Sequence, residues 1–93
     1  MILLFTTTAV MAQTKVSGTV YEPDGTTPVV GATVMQNGSS NGTSTDIDGK
    51  FSLNVTGKNP VLKVSFVGYP TSEVAVNGQK QLKIIMKEGA VNL

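Results

Sequence analysis

The 93-residue sequence has no cysteine, no histidine, no tryptophan and no arginine. Without Cys and His there is no thiolate nucleophile, no imidazole base and no usual zinc ligand, which removes most enzyme chemistries. All seven cations are Lys, so no planar guanidinium fork is available for phosphates or guanine edges. Six acids bring the net charge to +1, which creates no field for a polyanion. Three Phe and two Tyr do not make the basic-aromatic stripe that single strands need. Nucleic acid is therefore not an expected partner, and no cofactor or metal is expected. Long hydrophobic runs are also missing: the apolar stretch at the start falls far short of the roughly 20 residues of a membrane span. A chain this short supports one domain, which buries only about 60–65% of its unfolded surface and leaves little core from which to carve a deep active site.

What is present begins with a leader-like segment. Residues 1–12, "MILLFTTTAVMA", open on an apolar run, and Val10 and Ala12 stand three and one residues before Gln13, as at a signal-peptide cleavage site. The run is broken by Thr6, Thr7 and Thr8 and preceded by no Lys or Arg, defects that a start placed too far downstream would produce. The expectation is an exported chain with a signal peptide over 1–12, a folded domain over 13–88 and the start of a linker over 89–93. The lack of Cys suits an exported bacterial protein that does not rely on disulfides.

From Thr14 onward apolar residues recur at every second position, the mark of half-buried strands, and no helical stripe is sustained. In "TKVSGTVY", Val16, Gly18 and Val20 share one face, and "EPDGTTP" then reverses the chain at Asp24-Gly25. A second strand, "ATVMQNG", turns Ala32 and Val34 to one side and Thr33 and Met35 to the other, and a short third, "TST", follows the loop "NGSSNG". "KFSLNV" places Phe51, Leu53 and Val55 inward, and "VLKVSFVGY" does the same with Leu62, Val64 and Phe66. "TSEVAV" reads as an edge strand, "NGQ" as a hairpin turn, and "QLKIIMKE" as a last strand with Leu82, Ile84 and Met86 inward. Seven short strands separated by regular turn signals predict an all-β, two-layer sandwich.

The densest chemistry lies in "NGTSTDIDGKF", where Asp46 and Asp48 precede Gly49. A calcium loop would need about six or seven oxygen ligands and an acid some twelve positions after the first Asp. Position 57 is instead Gly, and no third carboxylate is nearby. A glycosidase pair would need carboxylates about 5 to 10 Å apart across a cleft, and a hairpin tip has none. A turn needs only an Asp that accepts backbone N–H groups and a Gly free to take positive φ before Phe51 enters the core. The many Ser and Thr have no His partner and read as solvated strand faces. The sequons at Asn37, Asn41 and Asn54 arise from Gly- and Asn-rich turns. A self-made isopeptide bond needs a buried Lys, an Asn and a carboxylic acid side by side, and Lys15, Asn77 and Glu73 are the one trio available for it.

In order and spacing, four motifs carry a resemblance: G-x-V at Gly18–Val20, P-x-x-G-A-x-V at Pro28–Val34, T-D-x-x-G-x-F at Thr45–Phe51 and F-x-G-Y at Phe66–Tyr69. Over about residues 15 to 88 the chain resembles a carboxypeptidase regulatory-like domain, in the form found at the N-terminus of SusC-like TonB-dependent outer-membrane transporters. The resemblance implies a seven-stranded transthyretin- or prealbumin-like (Ig-like) β-sandwich with no catalytic residues. It implies structural roles for Gly31 and Gly49 in relieving backbone strain, for Phe51 and Val64 in the core, and for Gly68 with Tyr69 at a corner; Asp46 and Asp48 belong to the turn. Tyr69 is expected to pack with its hydroxyl on a backbone carbonyl, a sugar-stacking platform being the other reading. In the transporters a link, a Val-rich coupling segment, a plug and a barrel follow, and "GAVNL" stands where that segment would begin. The expectation is an N-terminal fragment at the periplasmic face of a Gram-negative outer membrane. Its partner would be the plug or barrel of the parent transporter or another periplasmic protein. The rival is a surface adhesion or carbohydrate-binding module that takes a glycan through Tyr21 and Tyr69.

Overall fold

A computed structural model of the chain describes residues 13–88. The proposed signal peptide over 1–12 and linker over 89–93 lie outside the described residues. Seven strands and no helix are present among the described residues: β1 (Thr14–Tyr21), β2 (Thr33–Gln36), β3 (Gly42–Ser44), β4 (Lys50–Val55), β5 (Val61–Ser65), β6 (Ser72–Ala75) and β7 (Gln81–Ile85). No described helix is long and apolar enough to cross a membrane.

The strands form two sheets, ordered β4-β1-β7 and β3-β2-β5-β6. β1 runs antiparallel to β4, with Val16 opposite Leu53 and Gly18 opposite Phe51. On its other side β1 runs parallel to β7, with Gly18 opposite Leu82 and Val20 opposite Ile84. The second sheet is antiparallel throughout, with Val34 paired to Val64 and Leu62 to Val74. The inward faces meet in one core that contains Val16, Val20, Val34, Leu53, Val64 and Ile84 among its fourteen buried hydrophobic residues. The period-two alternation expected in β1, β4 and β7 is the burial pattern observed.

Two turns read locally as hairpins have a different role. The Asp46–Gly49 turn joins β3 of one sheet to β4 of the other, and the Asn77–Gly78 turn likewise joins β6 to β7. Asn77 and Gly78 do take the positive φ of a type I′ turn, at 51° and 72°. Its flanking strands nevertheless do not pair: β7 lies beside β1 in the opposite sheet, where Leu82 and Ile84 are buried. β6 is an edge, as expected, and β7 is an edge of the opposite sheet.

Gly18 explains how β4, β1 and β7 close up. A Cβ built there would stand 2.8 Å from Phe51 Cε1 and closer still to the carbonyl oxygen of Leu82. The aromatic ring of β4 thus lies over a bare stretch of β1, and the backbone of β7 leaves no room to yield. Gly18→Ala is therefore expected to destabilise the fold by about 1–3 kcal/mol through overpacking. Urea unfolding checks this, and an unchanged midpoint would refute the close approach.

Candidate functional site

The T-D-x-x-G-x-F segment is held by its first two residues. Thr45 is buried; its hydroxyl donates to the Val29 carbonyl (2.6 Å) and accepts the Ala32 amide (2.9 Å). The Thr45 amide donates to the Ala32 carbonyl (2.9 Å), and the Gly31 amide donates to the Thr45 carbonyl (3.1 Å). One β-branched residue therefore fastens the 28–32 crossing to the turn that follows β3. Asp46 Oδ1 accepts the amides of Asp48 and Lys50, each at 2.9 Å, and the Gly49 amide closes the turn on the Asp46 carbonyl at 2.9 Å. The Lys50 and then the Asp48 amide hold the Asp46 carboxyl below its ordinary range.

Asp48 is exposed, and its side chain accepts no hydrogen bond among the described residues. The two carboxylates do not share a ligand-facing arrangement, since one oxygen of Asp46 is committed to its own turn. Among the described residues no three His, Cys, Asp or Glu gather to hold a metal ion. Gly49 is buried with φ 73°, and a Cβ there would stand 2.7 Å from Pro28 Cβ and 2.9 Å from the Val20 carbonyl. Phe51 is buried in the core. Gly31 and Gly68 take φ of 79° and 90° with open space around them, so conformation and not room is what these turns require.

Tyr69 differs from its expected contact. Its hydroxyl donates to a side chain, Glu22 Oε1, at 2.9 Å, instead of to a backbone carbonyl. The bond ties the corner after β5 to the loop after β1, and it raises the phenol above its ordinary value together with desolvation. The Tyr69 ring lies tilted against Phe66, centroids 6.0 Å apart, and both pack on the core. The Tyr21 ring is covered by Lys83 Nζ at 5.2 Å. Each ring proposed for sugar stacking thus already has a partner. Lys15, Glu73 and Asn77 are all exposed, so the burial that isopeptide formation requires is missing from all three.

Gln36 and Glu22 were not singled out by the sequence. Gln36 occupies an inward position of β2, in phase with Ala32 and Val34, and is buried. Its Nε2 donates to the Thr56 carbonyl (2.6 Å) and its Oε1 accepts the Thr56 amide (3.1 Å), which joins β2 to the end of β4 in the other sheet. The available signal was a polar residue in phase with apolar ones. Asn41 adds a neighbouring link by donating from Nδ2 to the Asn54 carbonyl.

Residues 16–93 match the family described as the CarboxypepD_reg-like domain. The chain belongs to that family. Among curated proteins, the regulatory-like domain is similar to TonB-dependent receptor P39 of Formosa agariphila, 39% identical over 83 residues, which cover 89% of this chain and 8% of the receptor. It is also 38% identical over 76 residues to TonB-dependent receptor SusC of Bacteroides thetaiotaomicron, covering 82% of this chain and 7% of that receptor. The chain thus spans less than a tenth of the receptors it matches. Among solved structures, a chain of the Coh3ScaB–XDoc type II cohesin-X-dockerin complex from Acetivibrio cellulolyticus superposes with a TM-score of 0.66. It is 26% identical, and the match covers 86% of this chain and 61% of that one.

Two expectations follow from the geometry of the regulatory-like domain. Thr45→Val keeps the shape but leaves the Ala32 amide and the Val29 carbonyl buried without the hydroxyl, at about 1–3 kcal/mol for each group left unpaired. Thr45→Ser should retain most of the stability, and equal melting temperatures for the Val and Ser variants would refute the hydroxyl's role. The second concerns acid. The Thr27 hydroxyl, then the Thr27 and Thr26 amides, lower the Asp24 carboxyl from 3.8 to about 2. A carboxyl depressed in the fold contributes stability above its unfolded value that is lost as pH falls through its folded one. Between about pH 4 and 2 the melting temperature should therefore fall more steeply for the native chain than for Asp24→Asn. Parallel slopes would refute it.

Proposed function

We propose that this domain is a non-catalytic module, N-terminal in position, of a SusC-like TonB-dependent receptor, exported to the periplasmic face of a Gram-negative outer membrane. The module acts by contact and positioning and forms no bonds. The observation that carries this reading is the 39% identity to a TonB-dependent receptor across 89% of the chain.

The geometry supports the same reading. The polar side chains with specific partners, Thr45, Asp46, Gln36 and Tyr69, spend those bonds on backbone and neighbouring loops, which makes them scaffold. A chain of the same sandwich shape occurs in a cohesin-X-dockerin complex. Positioning needs a stiff body with a defined outline, and cross-sheet links of this kind supply one. Carbohydrate uptake is the role proposed for such a receptor.

The gene that encodes this chain is expected to continue into a Val-rich segment and the amphipathic strands of a barrel. In-frame removal of residues 13–88 is expected to slow growth on the imported nutrient while the receptor still reaches the outer membrane. A frame that continues into repeats of this same domain, or saturable binding of maltooligosaccharides by the 93-residue chain, would overturn the reading in favour of an adhesion or carbohydrate-binding module.

A further inference from the structure

The two ends of the sandwich differ in chemistry. β1, β3, β5 and β7 finish, and β2, β4 and β6 begin, at one end. The large hydrophobic residues exposed among the described ones are Val30, Ile47, Val67 and Ile85, and all four belong to that end. Ile47 and Val67 are 82% and 90% exposed, almost as open as in an unfolded chain. The opposite end consists of the loops 37–41, 56–60 and 76–80, which are built of Asn, Gly, Ser, Thr, Gln, Lys and Pro around the buried Val76.

Turn geometry does not account for the hydrophobic tips. Ile47 is the second residue of the turn closed by Gly49 N–H on the Asp46 carbonyl, and Val67 the second of the turn closed by Tyr69 N–H on the Phe66 carbonyl. Val30 likewise stands just before the positive-φ Gly31. The second position of a turn points outward and accepts most residues, with Pro favoured in types I and II. β-branched apolar side chains there add nothing to the turn, and Ile47 and Val67 bury little in the fold. Scattered exposed hydrophobics are ordinary, but a group confined to one end and rimmed by charge is the pattern of an interaction site.

The rim is predominantly acidic. Glu22, Asp24, Asp46, Asp48 and Glu88 stand at this same end against Lys50 and Lys87, while the loops of the opposite end carry Lys58 and Lys80 and no acid. The chain also leaves here: the Met86 amide bonds the Tyr21 carbonyl at 2.8 Å, so residues 87 and 88 depart beside the hydrophobic tips. We propose that this end, which carries Val30, Ile47 and Val67 among its acidic residues, docks onto a face of the parent receptor that combines apolar surface with Lys or Arg. The proposal rests on the receptor reading above. Acidic neighbours oppose insertion into an anionic bilayer, so a protein face is the occupant that the charge favours. Three such side chains suffice when the partner follows on the same polypeptide, because linkage makes the contact intramolecular and raises its effective concentration.

The test uses the full-length receptor that carries this domain, with photoreactive benzoylphenylalanine placed at Val67 or, at the opposite end, at Asn77. Irradiation is expected to cross-link position 67 to peptides of the same polypeptide that combine apolar residues with Lys or Arg, in severalfold higher yield than position 77. Adding Val30→Asp and Ile47→Asp should abolish the cross-link from position 67 while leaving the melting temperature of the 93-residue chain unchanged. Equal yields from the two ends, cross-links to lipid or to a second copy, or a yield unaffected by the aspartates would overturn the docking surface and leave the receptor reading intact. A gene that runs on into no receptor would overturn both, and that outcome is known before any irradiation.

Discussion

The sandwich depends on a thin apolar layer. Seven of the fourteen buried hydrophobic residues are valine and one is alanine, so the two sheets are separated mostly by small, stiff side chains. Within the β4-β1-β7 sheet the packing is equally close: Gly18 and Gly49 have no room for a Cβ beside neighbouring strands and Pro28. The thin layer also lets side chains of one sheet reach backbone groups of the other, as Gln36 does with Thr56. Interiors pack at crystal-like density, so a layer of this thickness has no space for a substrate.

The loops are where the polar bonding is concentrated. Thr45 anchors the crossing from β1 to β2, Asp46 shapes the crossing from β3 to β4, and Tyr69 joins two loops 47 residues apart through Glu22. Each bond satisfies a backbone or carboxylate group that would otherwise cost free energy when shielded from water. The result is a set of hydrogen-bonded loops at one end of the molecule. Bonded loops lose less entropy on association than free ones of the same composition, which makes them better contact points. The same bonds that hold the fold also prepare the surface that a receptor-borne module would use.

Aspartates beside a glycine invite a metal or catalytic reading, and the geometry shows how a scaffold uses the same residues. Asp46 behaves as a local acceptor for two amides of its own turn, while Asp48 contributes only its backbone. Tyr69 and Tyr21 have polar or cationic partners within the domain. Gly31, Gly49 and Gly68 take the positive φ of turns, while Phe51 and Val64 are buried in the core.

The amino-acid sequence by itself determined the strands, the all-β class and the inward faces. Those features follow from period-two alternation and turn residues, which act between near neighbours and can be read one segment at a time. It located the Asp46–Gly49 turn and, through Gly18 and Phe51, the motif positions of the core. Only the tertiary structure decided which strands pair. The parallel union of β1 with β7 joins segments about sixty positions apart and, with the antiparallel union of β1 and β4, it turned two apparent hairpins into crossings between sheets. It also decided that Tyr69 meets Glu22, that Gln36 bonds across the layer, and that Val30, Ile47 and Val67 share one end. Such meetings depend on how the chain closes its long loops, and local pattern carries no record of that closure.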